Sequence, residues 1–195
     1  RRHAESLTPM IQFVLQQVDA TMADLSAIAV DVGPGLFTGM RVGIASAASL
    51  AWALELPVVP VCSLDVLAMN AEWSDNVVAA SLDARRGEVY WAVYGPAGER
   101  ISGPFVGRQS ELDADISALP WFEEEEDGSP QVRAGTLGRL ANRLLEQGEM
   151  PGAPVRTLST HGTDDGVMAG ELAGQRLLAP FPLYVRRPDA EPARA

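Results

Sequence analysis

The chain has 195 residues, of which 47% are hydrophobic and 21% are charged, a composition typical of soluble globular proteins. Its formal net charge of −11 disfavours unaided binding to nucleic acid. All 15 basic residues are arginine, which excludes the lysine of a phosphate-binding loop, lysine Schiff bases and lysine general bases. The single cysteine, Cys62, and the lack of a secretory or membrane-spanning pattern predict a cytoplasmic protein without an intrachain disulfide.

The first third of the chain predicts the order α-β-α-β, followed by a short helix. Apolar residues recur at helical spacing from Leu7 to Val18, and two short apolar runs downstream indicate buried strands. Pro57 ends the second helix, and Ser63 is a suitable N-cap for the short one. The predicted elements are a helix over residues 4–20, a strand over 27–32, a helix over 38–54, a strand over 58–62 and a helix over 63–70.

The rest of the chain predicts the order β-β-β-α-β-α-β. Its first two strands are joined by Ala84-Arg85-Arg86-Gly87, a hairpin with glycine at the tight position. Ser110 and Asp113 resemble a capping box at the start of a helix. The predicted elements are strands over 77–83, 88–94 and 100–106, a helix over 110–119, a strand over 131–134, a helix over 137–145 and a strand over 155–158.

The two parts are related to each other. The first has the order of the second with its three opening strands missing, and duplicated units of this order are typical of an actin-like (ASKHA, ribonuclease-H-type) α/β fold. The sequence therefore predicts two lobes, residues 1–73 and 74–195. The first lobe would lack its opening β-hairpin strands in the sequence given.

A glycine-rich segment between the first strand and the second helix is the first candidate site. Such a turn leaves backbone N–H groups free at a helix N-terminus, which favours anions. Its spacing matches neither the dinucleotide fingerprint nor the phosphate-binding loop of nucleotide hydrolases. A tight strand-to-helix turn with close helix packing is the favoured explanation of the glycines. The candidate anion or nucleotide loop consists of Gly33, Gly35, Thr38 and Gly39.

Catalytic chemistry has two candidates. Asp31, Asp65 and Asp83 could form a carboxylate set for metal-assisted hydrolysis, although each has a structural explanation at a strand end, in a first helical turn or in a hairpin. Cys62 could be a nucleophile at a helix N-terminus, but its sequence context favours a buried thiol.

Small residues recur every four positions along the second helix: Gly39, Gly43, Ala47 and Ala51. Glycine in a helix interior costs about 1 kcal/mol relative to alanine, so Gly43 indicates close packing. The neighbour could be the protein's own sheet and first helix, or another subunit.

One segment carries a family resemblance. Gly33-Pro34-Gly35-Leu36-Phe37-Thr38-Gly39-Met40-Arg41-Val42-Gly43 closely resembles the signature of the TsaB (YeaZ) family, which usually has serine in place of Leu36. The segments Asp83–Tyr90 and Leu183–Pro188 resemble later signatures of that family. The catalytic paralogue, TsaD, has an HxxxH metal pair where this chain has Cys62-Ser63-Leu64-Asp65-Val66, so no metal site is expected.

The resemblance implies a non-catalytic subunit that binds and activates TsaD, which transfers threonylcarbamoyl to the tRNA adenosine adjoining the anticodon. TsaE would be a further partner, and the chain would form a homodimer when TsaD is absent. No cofactor and no membrane contact are expected. The alternatives are an M22-type peptidase-like enzyme and a nucleotide-binding sensor that uses the glycine loop. The implied partner interface comprises Leu7, Met10, Ile11, Val14, Gly39, Met40, Gly43, Ala47 and Leu50.

The charge balance generates the first testable prediction. The isolated protein is expected to show no tRNA binding at physiological salt, because phosphate contacts must overcome a net charge of −11. A filter-binding titration measures this directly. Micromolar binding that weakens steeply with added salt would contradict the prediction and would reveal a basic surface hidden by the net count.

Overall fold

The structure is a computed structural model that describes residues 3–69, 77–116, 132–146 and 185. Its helices are α1 His3–Gln16, α2 Phe37–Leu54, α3 Ser63–Ala68, α4 Gln109–Ile116 and α5 Ala134–Glu146. Its strands are β1 Ile28–Gly33, β2 Val58–Cys62, β3 Val78–Arg85, β4 Glu88–Tyr94 and β5 Arg100–Arg108. The predicted mixed α/β class is confirmed. Within these ranges, no helix combines the length and apolar character that crossing a bilayer requires.

The first sheet in the described part pairs β1 with β2 in parallel. Parallel neighbours need a long crossover connection, which α2 supplies. The helix packs Ile44 and Ala51 against Val30 and Val58 of the two strands. The pairing register shifts at the end of β1, next to Gly33. The crossover therefore places the glycine-rich turn at the carboxyl edge of this sheet.

The second sheet is antiparallel, with the strand order β3-β4-β5. Alternate residues of β4 face opposite sides, as strand geometry requires. On one side, Trp91 lies against Phe105 with ring centroids 5.6 Å apart, and Leu112 of α4 belongs to the same cluster. On the other side, Ala92 and Tyr94 pack with residues of α3. The sheet is thus covered on both faces.

The short helix α3 connects the two sheets. Leu64 and Leu67 belong to the cluster formed with β3 and β4, whereas Val66 belongs to the cluster formed with β2 and α5. Successive helical residues point about 100° apart, which lets six residues serve two cores. α3 therefore contributes side chains to the hydrophobic cores of both sheets.

Two sequence predictions are corrected here. Ser63 is the first residue of α3 rather than its N-cap, which is Cys62, because the Ser63 hydroxyl is directed to Asp31. The strand predicted over 131–134 is wrong for its described part, since Val132 lies in irregular backbone and Ala134 begins α5.

The helix α5 returns to the first sheet. Its Leu137 and Ala141 pack against Val59 and Val61 of β2, so a helix from the predicted second lobe completes the core of the first sheet. The actin-like fold and the lobe boundary near residue 73 stay predictions. The strand predicted over 155–158 lies outside the described residues.

A partly buried cluster of hydrogen bonds joins α3 to the second sheet. Arg100 forms two parallel bonds with Asp65, Nε to Oδ1 at 2.9 Å and Nη2 to Oδ2 at 2.6 Å. The hydroxyl of Tyr94 also donates to Oδ1 of Asp65, at 2.7 Å. Burial raises the pKa of Tyr94, which keeps this hydroxyl protonated as a donor. The fork-to-fork geometry is the strong form of an arginine–carboxylate pair.

This cluster generates a stability prediction. We expect Asp65→Asn to lower the free energy of unfolding by about 2–3 kcal/mol, because it leaves the Arg100 charge without its counter-ion. A fully buried pair loses roughly 3–5 kcal/mol when one partner is removed. The effect should be smaller here, since Asp65 and Arg100 keep 25% and 17% of their side-chain exposure. Urea denaturation of the folded chain provides the measurement.

A matched control lies on the surface of the same sheet. Asp83 and Arg85 form an ion pair of 3.2 Å whose side chains are 62% and 69% exposed. Exposed pairs contribute about 0–1 kcal/mol, so Asp83→Asn should change stability little. Equal losses for the two substitutions would refute a special role for the Asp65 cluster.

Candidate functional site

The helices α1 and α2 carry large apolar side chains that nothing in the described part of the chain covers. Met10, Phe13 and Val14 on α1 are 61–62% exposed, and Trp52 on α2 is 86% exposed. Contiguous exposed apolar surface marks interaction sites more often than isolated residues do. The exposed large apolar residues of this region are Met10, Phe13, Val14, Val18, Leu36, Phe37 and Trp52. We call them the α1–α2 apolar surface.

The predicted interface residues divide between this surface and the interior. Met10, Val14 and Gly39 are exposed, and a second group is half-buried, with Met40 packing against the core under α2. The prediction that Ala47 is an interface residue is wrong, because Ala47 is buried in that core. The half-buried predicted residues are Leu7, Ile11, Met40, Gly43 and Leu50.

Helix geometry explains why the row of small residues divides. Four residues advance about 400° around an α-helix, so a row of residues at this spacing turns by about 40° per step. The row therefore turns from exposed Gly39 through half-buried Gly43 to the core at Ala47 and Ala51. A Cβ atom added at either glycine would meet no heavy atom within 4 Å. Packing against the protein's own sheet is thus confirmed for Ala47 and Ala51, while contact of Gly39 and Gly43 with another subunit stays a prediction.

The surface of α2 is almost free of charge. Arg41 is its sole charged residue, and the Arg41 guanidinium carbon lies 4.7 Å from the centroid of the Phe37 ring. This cation–π contact is worth roughly 0.5–1 kcal/mol at an exposed site. It keeps the aromatic ring and the cation together at the N-terminal end of α2.

Sequence reasoning missed Phe13, Phe37 and Trp52. A usable signal was present, because large apolar residues lie on more than one side of α2 and Arg41 is its sole charged residue. Such a helix is expected to be covered on both sides. Trp52 stands beside a shallow apolar hollow lined by the small residues Ala48, Ser49 and Ala53.

The glycine loop has the geometry of a tight turn. Gly33 adopts φ +102°, Pro34 is buried, and Leu36 caps α2 without a side-chain hydrogen bond. Gly35, Thr38 and Gly39 are exposed around the start of the helix. Their role in anion or nucleotide binding stays a prediction.

A carboxylate at the base of this loop works against a bound phosphate. Oδ1 of Asp31 accepts the backbone N–H of Gly33 at 2.8 Å and the hydroxyl of Ser63 at 2.6 Å. Burial raises the pKa of Asp31, while these two hydrogen bonds oppose the rise. Whenever this group is ionised, it repels an anion bound to the same turn.

The proposed carboxylate set is not assembled. Asp31 bonds to Ser63, Asp65 bonds to Arg100, and Asp83 bonds to Arg85 in the β3–β4 hairpin. The described ranges contain no group of three or more histidine, cysteine, aspartate or glutamate residues that could hold a metal ion. Each of the three carboxylates serves a separate structural contact, which agrees with the structural explanations that the sequence analysis gave for them.

Cys62 is also poorly suited to nucleophilic chemistry. The residue is buried at the end of β2. Burial, with the nearby Asp65 carboxylate, raises the pKa of its thiol to about 12. The thiolate is the reactive form of cysteine, and with this raised pKa little thiolate exists at neutral pH.

Three comparisons place the chain among known proteins. The family model described as "TsaD: tRNA N6-adenosine threonylcarbamoyltransferase" matches residues 1–125. The chain is 38% identical over 192 residues to the Mycobacterium tuberculosis protein Rv3421c, covering 98% of the chain and 79% of that protein. It is 43% identical over 97 residues to the Escherichia coli tRNA threonylcarbamoyladenosine biosynthesis protein TsaB, covering 48% of the chain and 42% of that protein.

Some relatives are much longer than this chain, and a solved structure is similar to it. A Mycobacterium leprae relative, ML0378, is 36% identical across 100% of the chain, which spans 47% of that protein. The chain thus spans about half or less of the length of several relatives that it matches. YeaZ from Pseudomonas aeruginosa superposes with a TM-score of 0.65 at 32% identity, covering 76% of the chain and 79% of that structure. The chain belongs to the TsaB/YeaZ family.

Proposed function

We propose that the chain is a non-catalytic subunit of tRNA threonylcarbamoyladenosine biosynthesis. It binds a TsaD-type subunit and activates it for threonylcarbamoyl transfer to the tRNA adenosine adjoining the anticodon. The observation that carries the proposal is the α1–α2 apolar surface in a chain whose relatives are named for this pathway. The reaction takes place in the cytoplasm, and a TsaE-type protein is a further partner.

The composition of the surface supports a protein partner. Interface centres are enriched in aromatic residues, methionine and arginine and are depleted of acids and lysine. The α1–α2 apolar surface contains Met10, Phe37 and Trp52, with Arg41 against the Phe37 ring. The helix α2 has no acidic residue, although the chain as a whole carries a net charge of −11. The lack of acidic residues thus distinguishes α2 from the acidic composition of the chain as a whole.

The open space at two glycines supports helix-to-helix contact. A neighbouring helix can approach Gly39 and Gly43 closely, because no side chain stands there and no other atom of the described structure fills the space. The large side chains Met10 and Val14 provide further exposed apolar area on α1, which is in contact with α2. In the absence of a TsaD-type subunit, we expect a second copy of the chain to use the same surface.

Two other functions remain as alternatives. A P. aeruginosa neighbour is described as similar to the peptidase YEAZ, so peptidase activity deserves a direct assay with a fluorogenic casein substrate. A nucleotide sensor would use the loop from Gly33 to Gly39, and a thermal-shift titration with adenine nucleotides tests it. The Asp31 carboxylate at the base of the loop, whenever it is ionised, argues against the second alternative.

The interface generates a mutational prediction. Gly43→Leu should weaken binding to the TsaD-type subunit roughly 5- to 150-fold, because overpacking at close helix contacts costs about 1–3 kcal/mol. The thermal midpoint of the monomer should stay unchanged or rise, since the new Cβ meets open space and leucine favours helix. Calorimetry on the full-length protein and its partner, with thermal unfolding of the monomer, provides the two readouts.

The matched control lies on the same helix. Ala51 is 3% exposed in the core, so Ala51→Leu should lower the thermal midpoint of the chain itself. If Gly43→Leu instead lowers the midpoint and leaves partner affinity intact, Gly43 faces the interior of the protein and the proposed interface is wrong.

The non-catalytic role generates a second prediction. Cys62→Ala and Asp83→Ala should each leave the rate of tRNA modification by the reconstituted complex within a few-fold of wild type. The native thiol should also react slowly with iodoacetamide at about pH 8, since a pKa near 12 leaves little thiolate, and unfolding in urea should restore ordinary reactivity. A loss of about 10²-fold or more, with unchanged partner affinity, would assign catalysis to the substituted residue.

A further inference from the structure

The hairpin between β3 and β4 ends in two arginines with left-handed backbone conformations. Arg86 and Gly87 form its two-residue turn, with φ +61° and φ +75°. Arg85, where the strand register shifts, adopts φ +65°. Turns with positive φ at both central positions favour Asn-Gly or Asp-Gly, because those residues tolerate this region. Arg86 at the first central position departs from that preference, and Arg85 just before the turn adopts the same uncommon conformation.

Such a departure points to a requirement for the side chains themselves. Residues held in sparsely populated backbone regions tend to lie at functional sites. Arg85 and Arg86 are both exposed. Glu88 pairs across the strands with Arg85 on one side and with Arg108 on the other, which brings a third exposed arginine to this end of the sheet. We call Arg85, Arg86 and Arg108 the arginine tip.

The acids around the arginine tip are engaged in local contacts. Oδ1 of Asp83 accepts the backbone N–H of Arg85 at 2.7 Å, and its Oδ2 lies 3.2 Å from Nη1 of Arg85. Oε2 of Glu111 accepts the backbone N–H of Arg108 at 3.2 Å. An exposed ion pair contributes little to stability, so a guanidinium can exchange one acid for another anion at small cost.

We propose that the arginine tip contacts the phosphate backbone of tRNA when the chain is assembled with its catalytic partner, an inference that rests on the proposed function. The guanidinium group matches phosphate oxygens in a two-bond geometry that lysine cannot reproduce. Two or three such contacts are too few to bind tRNA to an isolated chain of net charge −11. They add to the contacts of a complex that already holds the RNA.

The test measures tRNA affinity of the complex formed by the full-length chain and its TsaD-type partner as a function of salt. Arg85→Asn and Arg86→Asn each remove one charge while keeping a residue that tolerates positive φ. Each should reduce the slope of log affinity against log salt by about 0.7–0.9. The reduction should be the same for tRNAs of different sequence, since phosphate contacts carry no sequence information.

Two controls separate the phosphate contact from general effects. Arg143→Gln removes an exposed arginine from α5 and should leave the slope unchanged. Arg86→Lys keeps the charge and should retain most of the slope while losing the two-bond geometry. The thermal midpoint of Arg86→Asn should stay unchanged or rise, which shows that the loss does not come from misfolding.

The outcomes of these measurements decide separately on the RNA contact and on the proposed function. An unchanged slope in both asparagine variants overturns the contact with RNA. Impaired assembly with an unchanged slope assigns the arginine tip to a protein contact and likewise overturns it. If no complex forms with wild-type chain, the proposed function fails. This inference then falls with it, whereas a complex that forms and shows an unchanged slope overturns the contact with RNA alone.

Discussion

The ion pair between Asp65 and Arg100 is the constraint on which the arrangement of the two sheets depends. Asp65 lies on the helix that follows the parallel pair, and Arg100 begins the last strand of the antiparallel sheet. Apolar contacts could tolerate sliding of α3 over that sheet, but a two-bond carboxylate–guanidinium pair with a tyrosine hydroxyl tolerates little. Because α3 also packs against β2 and α5, the position of this short helix fixes the two sheets relative to each other.

The helix α2 meets two different demands with one sequence. Its inner face supplies Ile44, Ala47 and Ala51 to the core of the parallel pair. Phe37 at its first residue and Trp52 in its last turn stay exposed to solvent, where an isolated protein gains nothing from them. Removing such side chains from water is worth about 25 cal/mol per Å² of apolar area. In the proposed subunit role, these side chains would contribute binding energy only when a partner covers them.

Local patterns in the sequence predict the elements well, and long-range partners less well. The limits of β2 and β4 agree with prediction, since short apolar runs between turn residues define them. Ser63 looked like an N-cap because its real acceptor, Asp31, lies 32 positions earlier in the sequence. Ala47 looked like an interface residue because four-residue spacing hides the rotation of about 40° per step. The Asp65 cluster joins residues from three elements, and no local pattern marks such a contact.

The return of α5 to the parallel pair has a consequence for synthesis of the chain on the ribosome. Leu137 and Ala141 cover Val59 and Val61, so these valines lack part of their apolar cover until about eighty further residues have been translated. At roughly 5–20 residues per second, that interval lasts several seconds, far longer than hydrophobic collapse. A β-branched strand therefore stays partly uncovered during synthesis, and exposed apolar surface of this kind favours association between chains until α5 is made.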